Sequence, residues 1–123
     1  MTTLTEGKHA GGFLVWEVLR DYTRETVTIA SGAGKLEPGT VLGKITTGGK
    51  FTALAAAATN GSQNAAGILW AGVDATAADA PGVVVLRGPA IVNRHEIVWP
   101  EGATEVQITA ATTALAALGI ILR

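Results

Sequence analysis

The chain between Pro38 and Pro100 is divided into short apolar segments by glycine and proline at nearly regular intervals. These segments are rich in valine, isoleucine and aromatic residues. Runs of about four to eight residues of this kind, bounded by glycine and proline, are typical of the strands of a small β-sandwich or barrel. The pattern therefore predicts a mainly β fold with a barrel-like or sandwich-like core.

The composition limits the possible partners. At 123 residues the chain has the size of one domain. Charged residues make up 15% of it, below the roughly 25% of an ordinary soluble domain. Either much of the surface is apolar, or something else covers it. The formal net charge of −1 gives no electrostatic reason to expect nucleic acid or an anionic membrane as a partner, and we expect neither.

Several segments have the alternating or continuous apolar pattern of strands. They lie at residues 26–30, 41–46, 50–54, 66–73, 82–87 and 90–93. Gly48 and Gly49 join the second and third of them, which predicts a hairpin. Gly43 is expected to bend or bulge its strand.

The carboxyl-terminal part predicts one short helix followed by a strand at residues 120–122. Thr104 and Gln107 have the spacing of a capping box, and Gly119 stands where a left-handed helix cap is expected. One face of the helix would carry Ile108, Ala111, Leu115 and Leu118. β-Branched residues lower the helix propensity of residues 104–109, which leaves helix or strand open there.

The amino-terminal part predicts a flexible arm. Residues 1–12 are small, polar or glycine, and the first ten lack the apolar stretch of a signal peptide, so we expect no secretion. An apolar cluster follows at residues 13–16. Two interpretations stay open: the cluster packs on its own core, or it docks on a partner and becomes ordered there.

We find no credible catalytic or metal-binding motif, and we expect neither an enzyme nor a cofactor. Gly34-Lys35 and Gly49-Lys50 lack the earlier glycine and the following hydroxyl of a phosphate-binding loop. His95 has Trp99 four residues later, where a zinc-protease motif needs histidine. Cysteine is missing, which excludes disulfides and thiolate metal sites. Asp74 and Asp79 are expected to be solvated loop acids.

The tryptophans are three of only six aromatic residues. Trp70 lies within a predicted strand and is expected in the core. For Trp99 two interpretations stay open, since a large ring can lie in the core or at a subunit contact. His95 is interpreted as a turn or interface residue.

The order and spacing of several motifs resemble the lambda-type bacteriophage head decoration proteins. The resemblance covers roughly residues 39–103, with further likeness at both ends. The motifs are Val41-Leu42 before a Lys-Phe hairpin, Ala65-Ala66-Gly67-Ile68-Leu69, the valine-rich strand pair, and Ile97-Val98-Trp99-Pro100-Glu101. The arm is shorter and less proline-rich than that of the best-known member.

The resemblance implies a small β-rich protein that forms a trimer on the outer surface of the virion and is made in the host cytoplasm. It implies binding at the three-fold positions of an expanded head, where the arm reaches the major capsid protein. We therefore predict a docking arm at residues 1–16 and a single β-rich domain at residues 17–123. The predicted capsid-binding residues are Glu6, His9, Phe13, Leu14, Val15 and Trp16. The trimer-interface candidates are His95, Trp99 and Pro100. The alternative is a stand-alone β-barrel binding module, for example for carbohydrate, which would use the tryptophans and the loop acids.

Overall fold

The computed structural model describes residues 9–55 and 57–123. Its strands are β1 (Leu14–Glu17), β2 (Arg24–Ile29), β3 (Gly34–Leu36), β4 (Val41–Lys44), β5 (Phe51–Ala53), β6 (Ala65–Leu69), β7 (Val73–Ala75), β8 (Ala80–Val85), β9 (Ala90–Val92) and β10 (Ile120–Leu122). Its helices are α1 (Arg20–Thr23), a 3₁₀ turn (Arg94–Glu96) and α2 (Glu105–Ala117). The predicted mainly β fold with one short carboxyl-terminal helix is confirmed.

Five strands are hydrogen-bonded in a ring in the order β2-β5-β4-β6-β8. Four of the five contacts are antiparallel, and the fifth is a single parallel pair between Ile29 and Phe51. Because one residue pair closes the ring, the core is barrel-like and not an evenly paired closed barrel. Ile29, Leu42 and Phe51 are buried inside it.

The hairpin of β4 and β5 is confirmed. Leu42 lies opposite Ala53 and Lys44 opposite Phe51. The bulge expected at Gly43 is confirmed as well, because the register of β4 against β6 shifts between Leu42 and Gly43. A Cβ at Gly43 would lie 2.3 Å from the Ser62 carbonyl oxygen, so this close approach requires glycine.

A second sheet has the strand order β1-β9-β10, with β1 antiparallel and β10 parallel to β9. Its inner residues are Ala90, Val92 and Ile120, which are all buried. Helix α2 contributes Ala111 and Leu115 to the same core cluster. This sheet and α2 therefore enclose one apolar core beside the ring.

Helix α2 begins with the predicted capping box. The Gln107 amide donates to the Thr104 hydroxyl at 3.2 Å, and the Thr104 amide donates to the Gln107 side-chain oxygen at 2.9 Å. The open choice at residues 104–109 therefore resolves as helix from Glu105 onward. The Thr112 and Thr113 hydroxyls donate hydrogen bonds to backbone carbonyls four residues earlier, so both hydroxyls have partners within the helix. Among the described helices, none has the length and apolarity needed to cross a membrane.

Gly119, after α2, lies against Gly88, which precedes β9. The Gly88 amide donates to the Leu118 carbonyl at 2.8 Å, and the Ala90 amide donates to the Gly119 carbonyl at 3.0 Å. Gly119 has φ of +89°, as expected for a left-handed helix cap. A Cβ at Gly88 would lie 1.8 Å from the Gly119 carbonyl oxygen, so the two backbones meet without room for a side chain.

The predicted strand at residues 66–73 is shorter and divided. β6 ends at Leu69, Trp70 follows it, and Val73 begins β7, which pairs with β3. Both strands of this pair are three residues long. A period of two has too few repeats over three residues to be distinguished from a loop.

Candidate interaction surface

The part of the predicted arm at residues 9–14, which we call the arm base, packs on the domain. Phe13 is buried, and its carbonyl accepts a hydrogen bond from the Asn93 amide at 2.7 Å. Leu14 begins β1 opposite Val92 and packs against the core. For these two residues the structure agrees with the first interpretation, packing on the chain's own core. His9 is exposed, and Glu6 lies outside the described residues.

Val15 and Trp16 point out of the domain and begin a larger apolar feature, which we call the exposed apolar segment (residues 15–22). Five large apolar side chains within it are about half exposed or more: Val15 at 64%, Trp16 at 50%, Val18 at 49%, Leu19 at 57% and Tyr22 at 53%. Large apolar side chains concentrated in this way on a protein surface are typical of interaction sites. Contact of Val15 and Trp16 with a capsid protein stays a prediction.

The sequence interpretation missed Val18, Leu19 and Tyr22. Charged residues separate them from the apolar cluster, so the run seemed to end at Trp16. The available signal was their spacing, because residues 15, 18, 19 and 22 follow the i, i+3, i+4, i+7 pattern of one helical face. In the structure only Tyr22 of these four residues lies in a helix, Arg20–Thr23, and Val15, Val18 and Leu19 are exposed in the chain before it.

The outer face of the second sheet continues the exposed apolar segment. Trp16 lies opposite Ile91 in β9, and Ile91 lies opposite Ile121 in β10. Ile121 is 41% exposed, whereas its neighbour Ile120 is fully buried. Three apolar side chains thus form a row across the outer face of this sheet, where a sheet that faces water on one side would carry polar residues.

Two ion pairs lie beside the exposed apolar segment. Arg24 forms a bidentate contact with Glu17, whose carboxylate also accepts from the Thr23 hydroxyl at 2.5 Å. Arg87 binds Glu25 at 2.9 Å and lies 5.4 Å from the Tyr22 ring centroid. The opposite charges within each pair offset one another. A partner that covers this surface would therefore gain mainly from burial of apolar area.

The trimer-interface candidates His95 and Pro100 lie on either side of the third candidate, Trp99. Trp99 is half-buried and packs on the core. Trp99 and Pro100 line a cavity of about 250 Å³ beside α2, and His95 and Trp99 line a neighbouring cavity of about 240 Å³. His95 is exposed in the 3₁₀ turn, and its amide donates to the Asn93 side chain at 3.0 Å. Their place at a subunit contact stays a prediction.

The features that suggested carbohydrate binding are separated from one another. Trp70 and Trp99 pack on the core and form no exposed platform with Trp16. Asp74 accepts from the side chain and backbone of Thr76, and these hydrogen bonds lower the pKa of its carboxyl. Asp79 binds Lys50 at 2.6 Å and the Ser31 amide at 2.7 Å. Within residues 9–55 and 57–123, no group of three or more histidine or acidic side chains could hold a metal ion.

The Asp79 contacts predict a modest dependence of stability on pH. Lys50 and the Ser31 amide lower the pKa of Asp79, so the folded chain holds this carboxylate ionised at a pH where the unfolded chain protonates it. The stabilisation is fully present above about pH 4, the ordinary pKa of aspartate, and is lost as pH falls through the lowered pKa. We expect the melting temperature of Asp79→Asn to approach that of the unchanged chain on acidification. A difference that stays constant from neutral pH to pH ~2 would contradict this role.

Comparison with known proteins identifies the family of this chain. A family model described as bacteriophage lambda head decoration protein D matches residues 3–120, which span nearly the whole chain and take in every strand except the last two residues of β10. The comparison with curated proteins returned no match. The family was predicted from the motif order, and the matched range includes the exposed apolar segment and all five strands of the ring. The chain therefore belongs to the bacteriophage lambda head decoration protein D family, the members of which are structural proteins of the phage head.

Proposed function

We propose that the chain binds as a homotrimer at the three-fold and quasi-three-fold positions of an expanded phage head, where it cements the major capsid protein lattice against internal DNA pressure. The observation that carries this proposal is the exposed apolar segment at residues 15–22, which begins with the last two residues of the predicted arm. Its five outward apolar side chains are costly to leave in water, and covering them on a shell would be favourable.

The proposed mechanism is mechanical. Each subunit contributes the exposed apolar segment and residues 1–8 of the predicted arm, so a trimer carries three copies of both. Once one subunit has bound, the others meet their sites at a high effective concentration. Contacts of modest strength then add up to a bridge between neighbouring capsomers that dissociates slowly. The aromatic side chains Trp16 and Tyr22 are the expected binding hot spots, since these residue types dominate interface energies.

Binding to purified, expanded and undecorated heads tests the proposal. We expect saturable binding, with density for three subunits at the three-fold positions when decorated heads are imaged by electron cryomicroscopy. Protein that sediments without the heads, or density in any other arrangement, would contradict it.

Removal of residues 1–8 is the corresponding test of the arm. The truncation stops before His9, so that it keeps the backbone contacts of Gly11 and Gly12 and the buried Phe13 side chain. We expect the shortened chain to keep its melting temperature and to bind heads about tenfold more weakly, a loss of ~1.4 kcal/mol. Unchanged affinity would show that the arm does not dock.

A further inference from the structure

Trp70 follows the last residue of β6 and contacts the arm base. Its own amide donates to the Val83 carbonyl at 2.8 Å, which fixes its backbone to β8. Its carbonyl accepts a hydrogen bond from the Gly11 amide at 2.9 Å. The backbone of Trp70 therefore joins the ring of strands to Gly11 in the arm base.

The Trp70 ring makes three further contacts. Phe13 approaches it edge to face, with 6.3 Å between ring centroids and 70° between planes. The Arg24 guanidinium carbon lies 3.4 Å from its centroid. Gly11 lies so close that a Cβ there would be 1.9 Å from Cη2 of the ring. Glycine is therefore required at position 11, and the ring is enclosed by Gly11, Phe13 and Arg24.

Arg24 is itself held in place. Both oxygens of the Glu17 carboxylate accept from its guanidinium, with 3.2 Å from Nε to Oε2. The Arg24 and Glu17 side chains are only 19% and 12% exposed. A bidentate pair fixes the plane of the guanidinium, and a guanidinium stacked on tryptophan adds a cation–π attraction. The Glu17–Arg24 pair therefore packs on one face of the Trp70 ring and stabilises its position.

The arm base is folded into tight turns at this ring. The Gly12 amide donates to the His9 carbonyl, and the Leu14 amide donates to the Gly11 carbonyl, both at 3.0 Å. Gly11 has φ of +67°, in the left-handed region. The chain therefore reaches the domain along one fixed path between His9 and Leu14.

We propose that Trp70 is a positioning residue for the arm: the contacts of its ring and carbonyl with Gly11 fix the position and direction of the arm base, to which residues 1–8 are joined. This inference rests on the proposed docking of the arm on the capsid protein. An arm that starts from a fixed point loses less conformational freedom on binding than one that starts from a mobile tether.

Gly11→Ala tests the inference, because its methyl group cannot coexist with the Trp70 ring. Gly102→Ala is the matched control: its φ of +76° carries the same left-handed strain, but a Cβ there has no atom within 4 Å. The first measurement is the rate at which trypsin cleaves after Lys8, followed by mass spectrometry of the product that begins at His9. A protease needs an extended chain on both sides of the bond, so release of the turns in Gly11→Ala should speed cleavage by about tenfold. Gly102→Ala should leave the rate unchanged.

The second measurement is head binding in two backgrounds. In the full chain, Gly11→Ala should weaken binding by about tenfold; in the chain that lacks residues 1–8, it should have no further effect. Unchanged cleavage after Lys8 would overturn the inference, and so would an equal loss of affinity in both backgrounds, which a merely structural role produces. If removal of residues 1–8 leaves binding intact, the arm docking in the proposed function fails, whereas the cleavage rate still decides whether Trp70 holds the arm base.

Discussion

A chain with Leu19→Glu is expected to fold as the unchanged chain does and to bind expanded heads about 100-fold more weakly, a loss of ~3 kcal/mol. Leu19 is 57% exposed at the centre of the exposed apolar segment, so a glutamate there is solvated in the free protein. On the shell the same carboxylate would be buried among apolar groups without a partner, which is costly. The loss should therefore fall on binding and leave the melting temperature within a few degrees.

Val106→Glu is the matched control. Val106 is 78% exposed at the start of α2, outside residues 15–22, and a glutamate in the first turn of a helix is favourable. Both variants add one carboxylate to an exposed apolar position. Equilibrium binding to heads at fixed salt should separate them by about two orders of magnitude. Equal loss in both variants, or no loss in Leu19→Glu, would contradict the placement of the docking surface on residues 15–22.

The elements that the sequence predicted correctly are those specified by local chemistry. Gly48 and Gly49 determine the hairpin of β4 and β5, because both have positive φ that few other residues adopt. Thr104 and Gln107 determine the start of α2, because their side chains satisfy backbone donors within one turn. Each signal acts over fewer than six residues and needs no information about the rest of the fold.

The elements that the sequence did not reveal depend on distant partners. β3 and β7 are ordered by pairing with each other across 37 residues or more. Trp70 was expected within a strand, and its position against Gly11 and Arg24 is set by three separate segments of the chain. Contacts of this kind follow from the tertiary fold, which overrides local propensity.

The candidate surface was predicted only in part for the same reason. The four residues Phe13 to Trp16 form one apolar run, but the structure buries Phe13 and exposes Val15 and Trp16. β1 shifts its register between Leu14 and Trp16, so simple alternation cannot assign the faces of this strand. The sequence indicated that an apolar contact is made here, and the fold decides which side chains remain available for a partner.

Gly88→Ala is expected to have the largest effect on stability. Its Cβ would lie 1.8 Å from the Gly119 carbonyl oxygen and 2.4 Å from the carbonyl carbon, and backbone atoms cannot turn aside as the end of a side chain can. To admit the methyl group, the chain after α2 must separate from the start of β9. That movement breaks the hydrogen bonds from Gly88 to Leu118 and from Ala90 to Gly119. It also lifts Ile120, which is fully buried, out of the core.

We expect this variant to lose about 4 kcal/mol or more of unfolding free energy and to melt ~15 °C lower at equal protein concentration. Gly72→Ala is the control, since its φ is also not positive and its Cβ would meet the Leu36 carbonyl oxygen at an ordinary 3.4 Å. That control should stay within ~1 kcal/mol of the unchanged chain. A melting temperature for Gly88→Ala close to that of Gly72→Ala would mean that the backbone contact between Gly88 and Gly119 can open without loss of stability. The second sheet would then be loosely attached, and the outer row of Trp16, Ile91 and Ile121 would lack the rigid support that the proposed docking surface needs.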